Sequence, residues 1–301
     1  MYDFTSLVKR HILKFLRDKT AVFFSFLSVL ILLALYFLFI GRQYTSSFEG
    51  LEDSIKTPLM IGVMMGGILV INTVSLSLGV MGNIITDLEY HRLDGFLVTP
   101  VKRYKIILSY YLSSIIVTSV LTLMMWVLTV LYAGVFAGFW YGFDVILKVS
   151  GLIVFFTFIS SSLMIYLTTM LKSVNAFGTL SGVLGTLIGF VSGIYMPLTV
   201  LGQSMTYVSS FVPFTHMTIV LKNVLLEQPY VALENWLHTG ISNPEQVNAI
   251  VSDVKLIYGT NEIGIAGGPV HMMIIMGLCL VVSAVLLFFA YRNMNQKMGK
   301  R

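Results

Sequence analysis

Long uncharged runs alternate with short charged segments along the whole chain. Apart from the isolated Lys222, the uncharged runs cover residues 21–41, 57–86, 106–143, 149–171, 173–226 and 264–291. About twenty apolar residues in a helix cross the hydrocarbon core of a bilayer. The pattern therefore predicts six transmembrane helices, near residues 21–41, 58–85, 106–133, 148–171, 174–199 and 269–291.

Residues 1–20 have a different pattern. Apolar side chains recur there at steps of three and four, and most of the basic side chains fall between them, which predicts an amphipathic helix lying at the membrane surface. A solvated basic N-terminus with accidental periodicity is the alternative. The apolar run 21–40 is too long for a signal peptide and has no small-x-small cleavage site, so we expect a retained first span.

The region 200–268 lies between the fifth and sixth predicted spans. Its first part, to residue 226, is apolar but is interrupted by Gly202 and Pro213. Short re-entrant helices are the expected structure, because irregular backbone is tolerated at membrane depth only where protein or a water-filled cavity shields it. The second part, 227–268, is polar, and we expect a small exposed subdomain on the outer side.

Composition places the chain in a class. Hydrophobic residues make up 56% of the 301 residues and charged residues 11%, which indicates an all-α polytopic membrane protein. Of the 19 lysines and arginines, 14 lie before residue 20, in 86–105, at Lys172 or in the tail 292–301. The positive-inside rule then places both termini and the 86–105 loop in the cytoplasm. The small excess of bases does not indicate nucleic-acid binding.

Catalytic motifs are missing from the sequence. It contains no phosphate-binding loop, no His-Glu-x-x-His and no Gly-x-Ser-x-Gly. No carboxylate, lysine or arginine lies well inside a predicted span, which argues against a proton- or ion-coupled transporter. Cys279 is the only cysteine, and His216 and His271 are expected to be interfacial residues, so we predict no metal site.

Polar and small residues inside the spans have two interpretations. Amides and hydroxyls such as Asn72, Ser75 and Asn83 either hold helices together or line a translocation pathway. Glycines of the fifth span recur every three or four residues and form one smooth face, which suits packing within the chain, a dimer seam or a gate. These glycines are Gly178, Gly182, Gly185, Gly189 and Gly193.

The segment 86–105 concentrates charge between two uncharged runs. Its composition suits a short amphipathic helix at the membrane surface, and Pro100 is expected to end that helix near Val98. Fixing topology is the simplest role for such a loop. The run from Arg92 to Arg103, however, resembles the cytoplasmic loop motif of ABC-2 type permeases, although His91 and Arg92 stand where that motif has Gly-Thr. The matching residues are Leu93, Asp94, Phe96, Leu97, Thr99 and Pro100.

The similarity extends over the whole chain, through the N-terminal helix, the six spans, the Gly193–Pro197 run and the Pro213–Met217 run. It implies the membrane half of an ABC exporter, in which two such chains pair with two separate ATPase subunits that bind ATP and Mg²⁺. The polar insert 227–268 is longer than expected for the family. The resemblance implies ATPase coupling through Asp87, Glu89, Arg92, Leu93, Asp94, Phe96, Leu97, Thr99 and Pro100, and an outer gate of Met196, Pro197, Phe211, Pro213 and Phe214.

The remaining alternatives belong to other classes. A secondary transporter or channel would work without an ATPase, and an intramembrane enzyme would need paired catalytic groups at bilayer depth, which the sequence does not provide. The residues expected to face a pathway are apolar, aromatic or hydroxylic. They favour an amphipathic drug, lipid or peptide as substrate over a small ion. The expected location is a bacterial cell membrane.

Overall fold

A computed structural model describes residues 2–24, 27, 52–97, 101–136, 138–194, 202–261, 263–264 and 271–299. Within these ranges the chain is helical and contains no strand. The helices are α1 (Tyr2–Arg17), α2 (Asp53–Glu89), α3 (Asp94–Leu97), α4 (Arg103–Phe136), α5 (Phe143–Met170), α6 (Val174–Val191), α7 (Gln203–Ser209), α8 (Pro213–Gly240), α9 (Pro244–Tyr258) and α10 (Met272–Gly299). The prediction of an all-α protein is confirmed.

Five of these helices, α2, α4, α5, α6 and α10, are long and apolar enough to cross a membrane. They correspond to the second to sixth predicted spans, and most of the predicted first span, 21–41, lies outside the described residues. Hydrogen bonds of side chains with helix ends place α1, the end of α2, the start of α4, the α5–α6 connection and the C-terminal part of α10 at one end of the bundle. This end is called the basic end below, and the opposite end the far end.

Several predicted boundaries differ from the structure. The sixth span was predicted to stop at residue 291, but α10 continues without a break to Gly299, so the basic tail is helical as far as that residue. The fifth span was predicted to reach residue 199, but α6 ends at Val191. The charged loop forms a turn at 90–93 followed by only one helical turn, α3, and residues 98–100 lie outside the described part.

Helix α2 is the centre of the bundle. It packs against α4, α5 and α8, and nearly all of its apolar middle is buried. Glycines let other segments approach its backbone: a Cβ at Gly67 would lie 2.8 Å from Ile194 Cγ2, and one at Gly62 would lie 2.6 Å from Leu226 Cδ2. These close approaches fix where the segment after α6 and the helix α8 cross α2.

The early end of α6 depends on α8. A helix that ends at membrane depth leaves main-chain carbonyls that no water can satisfy. The Thr215 hydroxyl donates to the Val191 carbonyl at 3.1 Å, and the Lys222 ammonium donates to the Gly193 carbonyl at 3.5 Å and to the Tyr258 carbonyl at 3.1 Å. Fully buried Lys222 thus joins the ends of α6 and α9, where a cation also complements the helix dipoles.

Replacing Gly66 by alanine tests this packing. A Cβ at Gly66 would lie 2.5 Å from Lys222 Cγ and 3.0 Å from the Lys222 main-chain nitrogen, so α8 would have to shift. Overpacking of this kind costs about 1–3 kcal/mol. We expect Gly66→Ala to lower the midpoint of thermal unfolding, measured by tryptophan fluorescence of the purified protein in detergent, by several degrees.

Gly151→Ala is the matched control. Gly151 also lies inside a long helix, but no atom of the described residues approaches within 4 Å of its Cβ position, so alanine should leave the midpoint unchanged or raise it slightly. Equal midpoints for the two variants would show that α8 does not press against α2 at this position.

Candidate functional site: the coupling segment and its anchor

The last turn of α2 carries negative charge that basic side chains of α1 neutralise. It carries Asp87 and Glu89 but no basic residue, and negative charge is unfavourable at the C-terminus of a helix. The amphipathic helix α1 presents Arg10 and Lys14 to this turn. The apolar residues Leu7, Val8 and Phe15 of α1 are buried against the bundle.

Asp87 is the centre of the resulting cluster. Its Oδ2 accepts from Arg10 Nη1 at 2.9 Å and from the Tyr110 hydroxyl at 2.6 Å, and its Oδ1 accepts from Lys14 Nζ at 2.7 Å. The Asp87 side chain is 0% exposed, so these bonds replace its hydration. We call Asp87, Arg10, His11, Lys14 and Tyr110 the Asp87 cluster. It joins α1, α2 and α4.

His11 completes this cluster as a neutral group. Burial lowers the pKa of His11 to about 3, and the adjacent Arg10 charge acts in the same direction. The ring stacks on Tyr110 with centroids 3.7 Å apart. Because the Ser109 hydroxyl donates to the Ile106 carbonyl, its oxygen accepts from His11 Nε2 at 3.1 Å, which leaves Nδ1 to accept from Arg10.

The coupling segment, residues 90–97, follows directly. His91 has φ of 56°, a left-handed conformation that favours glycine, and it stands where the ABC-2 loop motif has one. Its ring bonds the Asp94 carboxylate at 3.0 Å. Leu93 is buried, and the partly buried Phe96 lies under the Arg10 guanidinium at 4.9 Å, so α1 holds this segment as well as Asp87.

The residues predicted to couple to an ATPase therefore divide into two groups. Arg92 is exposed, with its guanidinium 5.6 Å from the Tyr90 ring, and exposed Glu89 accepts from the Val174 main-chain nitrogen at 2.6 Å, which ties α2 to the start of α6. Asp87, by contrast, does not fit a direct contact with a partner, because the chain itself covers its carboxylate. The Leu97 side chain, Thr99 and Pro100 lie outside the described part.

The predicted pathway amides and hydroxyls lie on different faces of α2. Asn72 is fully buried and donates to Thr122 Oγ1 at 3.3 Å, and nearby hydroxyls pair Thr73 with Ser160 at 3.0 Å. In this geometry Asn72 packs helices together and does not line an exposed face. Ser75 and Asn83 are half-buried. They remain candidates for a pathway.

The glycine face of α6 is largely open. Only 11% of its most apolar stretch is buried, and among the described residues no atom approaches within 4 Å of the Cβ positions of Gly178, Gly182 and Gly185. Gly189 differs from these, since it is buried where α6 ends. The open glycines thus offer a smooth surface that the described part of the chain does not use.

The predicted outer-gate residues lie deeper than the far end. Phe211, Pro213 and Phe214 surround the start of α8, where they line a cavity with side chains of α5 and α10. Phe214 is buried and Phe211 is exposed. Met196 and Pro197 lie outside the described residues.

Comparison with known families decides the identity of this arrangement. Residues 2–226, three quarters of the chain, match the family model described as ABC-2 type transporter. The chain belongs to the ABC-2 type transporter family. No curated protein compared with it matches at a significant level. The predicted family is therefore confirmed, and the chain is a membrane-embedded permease component of an ABC transporter.

Sequence reasoning missed several residues of this ABC-2 permease. Arg10 and Lys14 were counted only among the basic side chains that fall between the apolar positions of α1, and His11 and Tyr110 were not singled out. The acids at the end of α2 and the bases on α1 were the available signal. Lys222 was recognised only as a break in an apolar run, because its partners are main-chain carbonyls, which no sequence motif marks.

Asp87→Asn should release α1 from the ABC-2 permease bundle. Removing one member of a buried ion pair leaves the others uncompensated, and with Arg10 and Lys14 partly exposed the cost is about 2 kcal/mol or more. We expect amide hydrogen exchange in residues 2–17 to rise at least tenfold in the purified protein. Asp144→Asn, which alters the exposed far-end pair with Lys148, is the control and should leave that exchange unchanged. Unchanged protection in Asp87→Asn would contradict the anchoring role.

Proposed function

We propose that this ABC-2 permease is the membrane half of an exporter, working as a dimer with two separate ATPase subunits. ATP and Mg²⁺ would be bound by those subunits, and α1 and the coupling segment would face them on the cytoplasmic side. Members of the family normally work with an ABC ATPase subunit. The substrate class that we favour is an amphipathic drug, lipid or peptide.

The observation that carries this proposal is the union of α1, the coupling segment and α2 through the Asp87 cluster. The Arg10 side chain contacts both the Asp87 carboxylate and the Phe96 ring, so a displacement of the coupling segment would displace α1 and the end of α2 with it. Glu89 extends the connection to the start of α6. A push from closing ATPase subunits would therefore move several spans as one body.

The exposed part of the segment supplies the contact surface. Tyr90 and Arg92 project from the turn at 90–93, while Leu93 and Asp87 point into the bundle. A secondary transporter or channel would need no such rigid connection between a surface segment and its helices. The geometry thus favours a transporter that an ATPase drives through the basic end of the bundle.

Charge reversal at Arg92 tests the proposal. Arg92→Glu should leave the amount of protein in the membrane unchanged, because the side chain is exposed and its described contact is with the Tyr90 ring. In the transporter purified with its ATPase subunit, we expect the substrate-stimulated rate of ATP hydrolysis to fall about tenfold or more. Asp253→Lys reverses an exposed charge on α9 at the far end and is the control, with activity expected at the unaltered level.

Two results would count against this function. Normal stimulation of ATP hydrolysis in Arg92→Glu would remove the coupling role of the segment. Uphill transport by the purified permease alone, without any ATPase, would favour the secondary transporter.

We propose that the open glycine face of α6 packs against a second permease chain in the dimer. In a background with Cys279→Ala, Gly182→Cys should form a disulfide between two chains on mild oxidation in membranes, since no described atom crowds its Cβ position. Gly151→Cys, at an equally open position on α5, should remain monomeric. Cross-linking at residue 151 and not at 182 would place the dimer seam on α5.

A further inference from the structure

Lys222 is a buried cation that forms no ion pair within the described part of the chain. The residue is 2% exposed, and its ammonium donates to the carbonyls of Gly193 and Tyr258, at 3.5 and 3.1 Å. An ammonium has three N–H donors, so one of them has no acceptor among the described residues. The helix ends that supply the two carbonyls offset part of the charge, but a buried charge is normally matched by an opposite charge.

The position of Lys222 is close to the far boundary of the membrane. Gly66, whose Cβ position meets the Lys222 side chain, is about 30 Å along α2 from Asp87, which is nearly the thickness of the hydrocarbon core. Along α8, Lys222 lies only about 7 Å before Glu227, whose exposed carboxylate pairs with exposed Lys148. A solute at the far end therefore needs to descend only a short way to reach the ammonium.

A cavity of about 170 Å³ adjoins the ammonium. Lys222 and Gly259 both line it, and a Cβ at Gly259 would lie 3.8 Å from Lys222 Nζ. Apart from the neighbours of Gly259 in the chain, no other atom of the described residues lies within 4 Å of that point, so a ligand atom there would contact Nζ directly. The cavity shares Thr206 and Ile263 with a wider cleft of about 660 Å³, whose wall includes exposed Gln203.

The chemistry of the lining restricts the ligand. Lys222 is the only charged side chain among the described residues that line the cavity and the adjoining cleft. A single buried cation favours a singly charged anion, because a second negative charge would have no partner. Apolar side chains form much of the remaining wall, and they favour an anion that carries an apolar chain. These side chains are Ile219, Leu256 and Ile263.

We propose that this cavity binds a carboxylate that carries an apolar chain, with a carboxylate oxygen accepting from Lys222 Nζ. The ligand lies where α6, α8 and α9 meet, and α9 is beyond the residues that match the ABC-2 family model. A short acid from the solution at the far end, or a fatty acid from the bilayer, supplies this chemistry. The site depends neither on the ATPase subunits nor on the dimer seam.

Hexanoate and hexanamide, which has the same chain but no charge, test the site in the unaltered protein purified in detergent. We expect hexanoate to raise the midpoint of thermal unfolding saturably, since a ligand that binds only the folded state stabilises it. Half-saturation by the amide should need a concentration about tenfold higher or more, the factor expected for a charge-assisted hydrogen bond. Equal half-saturation, or no shift beyond that of sodium chloride at the same ionic strength, would overturn the proposal.

A pair of variants at Gly259 tests whether the ammonium can be reached from the cavity. Aspartate and asparagine both tolerate the left-handed backbone of this residue, where φ is 64°, so Gly259→Asp and Gly259→Asn differ mainly in charge. The aspartate supplies the missing anion to Lys222, so we expect a higher unfolding midpoint than with asparagine, and no further stabilisation by hexanoate. Equal midpoints for the two variants would show that the cavity does not give access to Nζ and would contradict the site.

Lys222→Met assigns the charge preference to the ammonium. This variant should respond equally to hexanoate and hexanamide, whereas the control Lys148→Met, which removes an exposed cation at the far end, should keep the preference for hexanoate. A preference that persists in Lys222→Met would overturn the assignment. If Lys222→Met does not fold, the Gly259 pair decides the question in a chain that retains the lysine.

Laurate distinguishes the two sources of the acid in nanodiscs. Displacement of hexanoate by laurate added to the lipid would identify the bilayer as the source. Hexanoate binding that laurate leaves unchanged would identify the solution at the far end. Both results support the carboxylate site.

Discussion

The pairing of Asp87 with cations from α1 is the constraint that organises the basic end. A carboxylate buried in the last turn of a helix is opposed by the helix dipole and by desolvation together. Arg10 and Lys14 offset both effects only if α1 lies across the ends of α2 and α4, and the Tyr110 hydroxyl fills the remaining position on Oδ2. The position of α1, and through Arg10 that of Phe96, follows from this one buried charge.

Hydroxyl contacts between the spans, farther from the basic end than the Asp87 cluster, also hold α2 and α4 together. Ser77 and Ser114 both contact the Ser161 hydroxyl, at 2.9 and 3.1 Å, which joins α2, α4 and α5 where lipid offers no competing hydrogen bonds. Helix α6 has no comparable burial. Its described links to this body include packing against α2, the capping contact of Glu89 at one end and the contacts with α8 at the other. The bundle therefore has a tightly packed part and one helix that is largely exposed beside it.

The spans could be predicted from sequence because bilayer thickness sets the length of an apolar run, and the loop motif near Asp94 was enough to indicate the family. The end of α6 could not be predicted, since the uncharged run continues past Val191. The helix can end there because the Thr215 side chain of α8 donates a hydrogen bond to the Val191 carbonyl. The exposure of Asp87 was misjudged for a similar reason. A charge within a charged loop suggests solvent, and its burial depends on a helix more than seventy positions earlier.

The two buried polar residues of α8 differ in how completely the chain satisfies them. Lys222 finds main-chain carbonyls at the ends of α6 and α9. His216, six positions earlier, finds one carbonyl for its Nε2 and no donor for its Nδ1 among the described residues. The flexible stem of a lysine can reach carbonyls that two separate helices leave open, whereas the imidazole is held by its bond to the Ser210 carbonyl. The early end of α6 is therefore matched chiefly by Lys222 and Thr215.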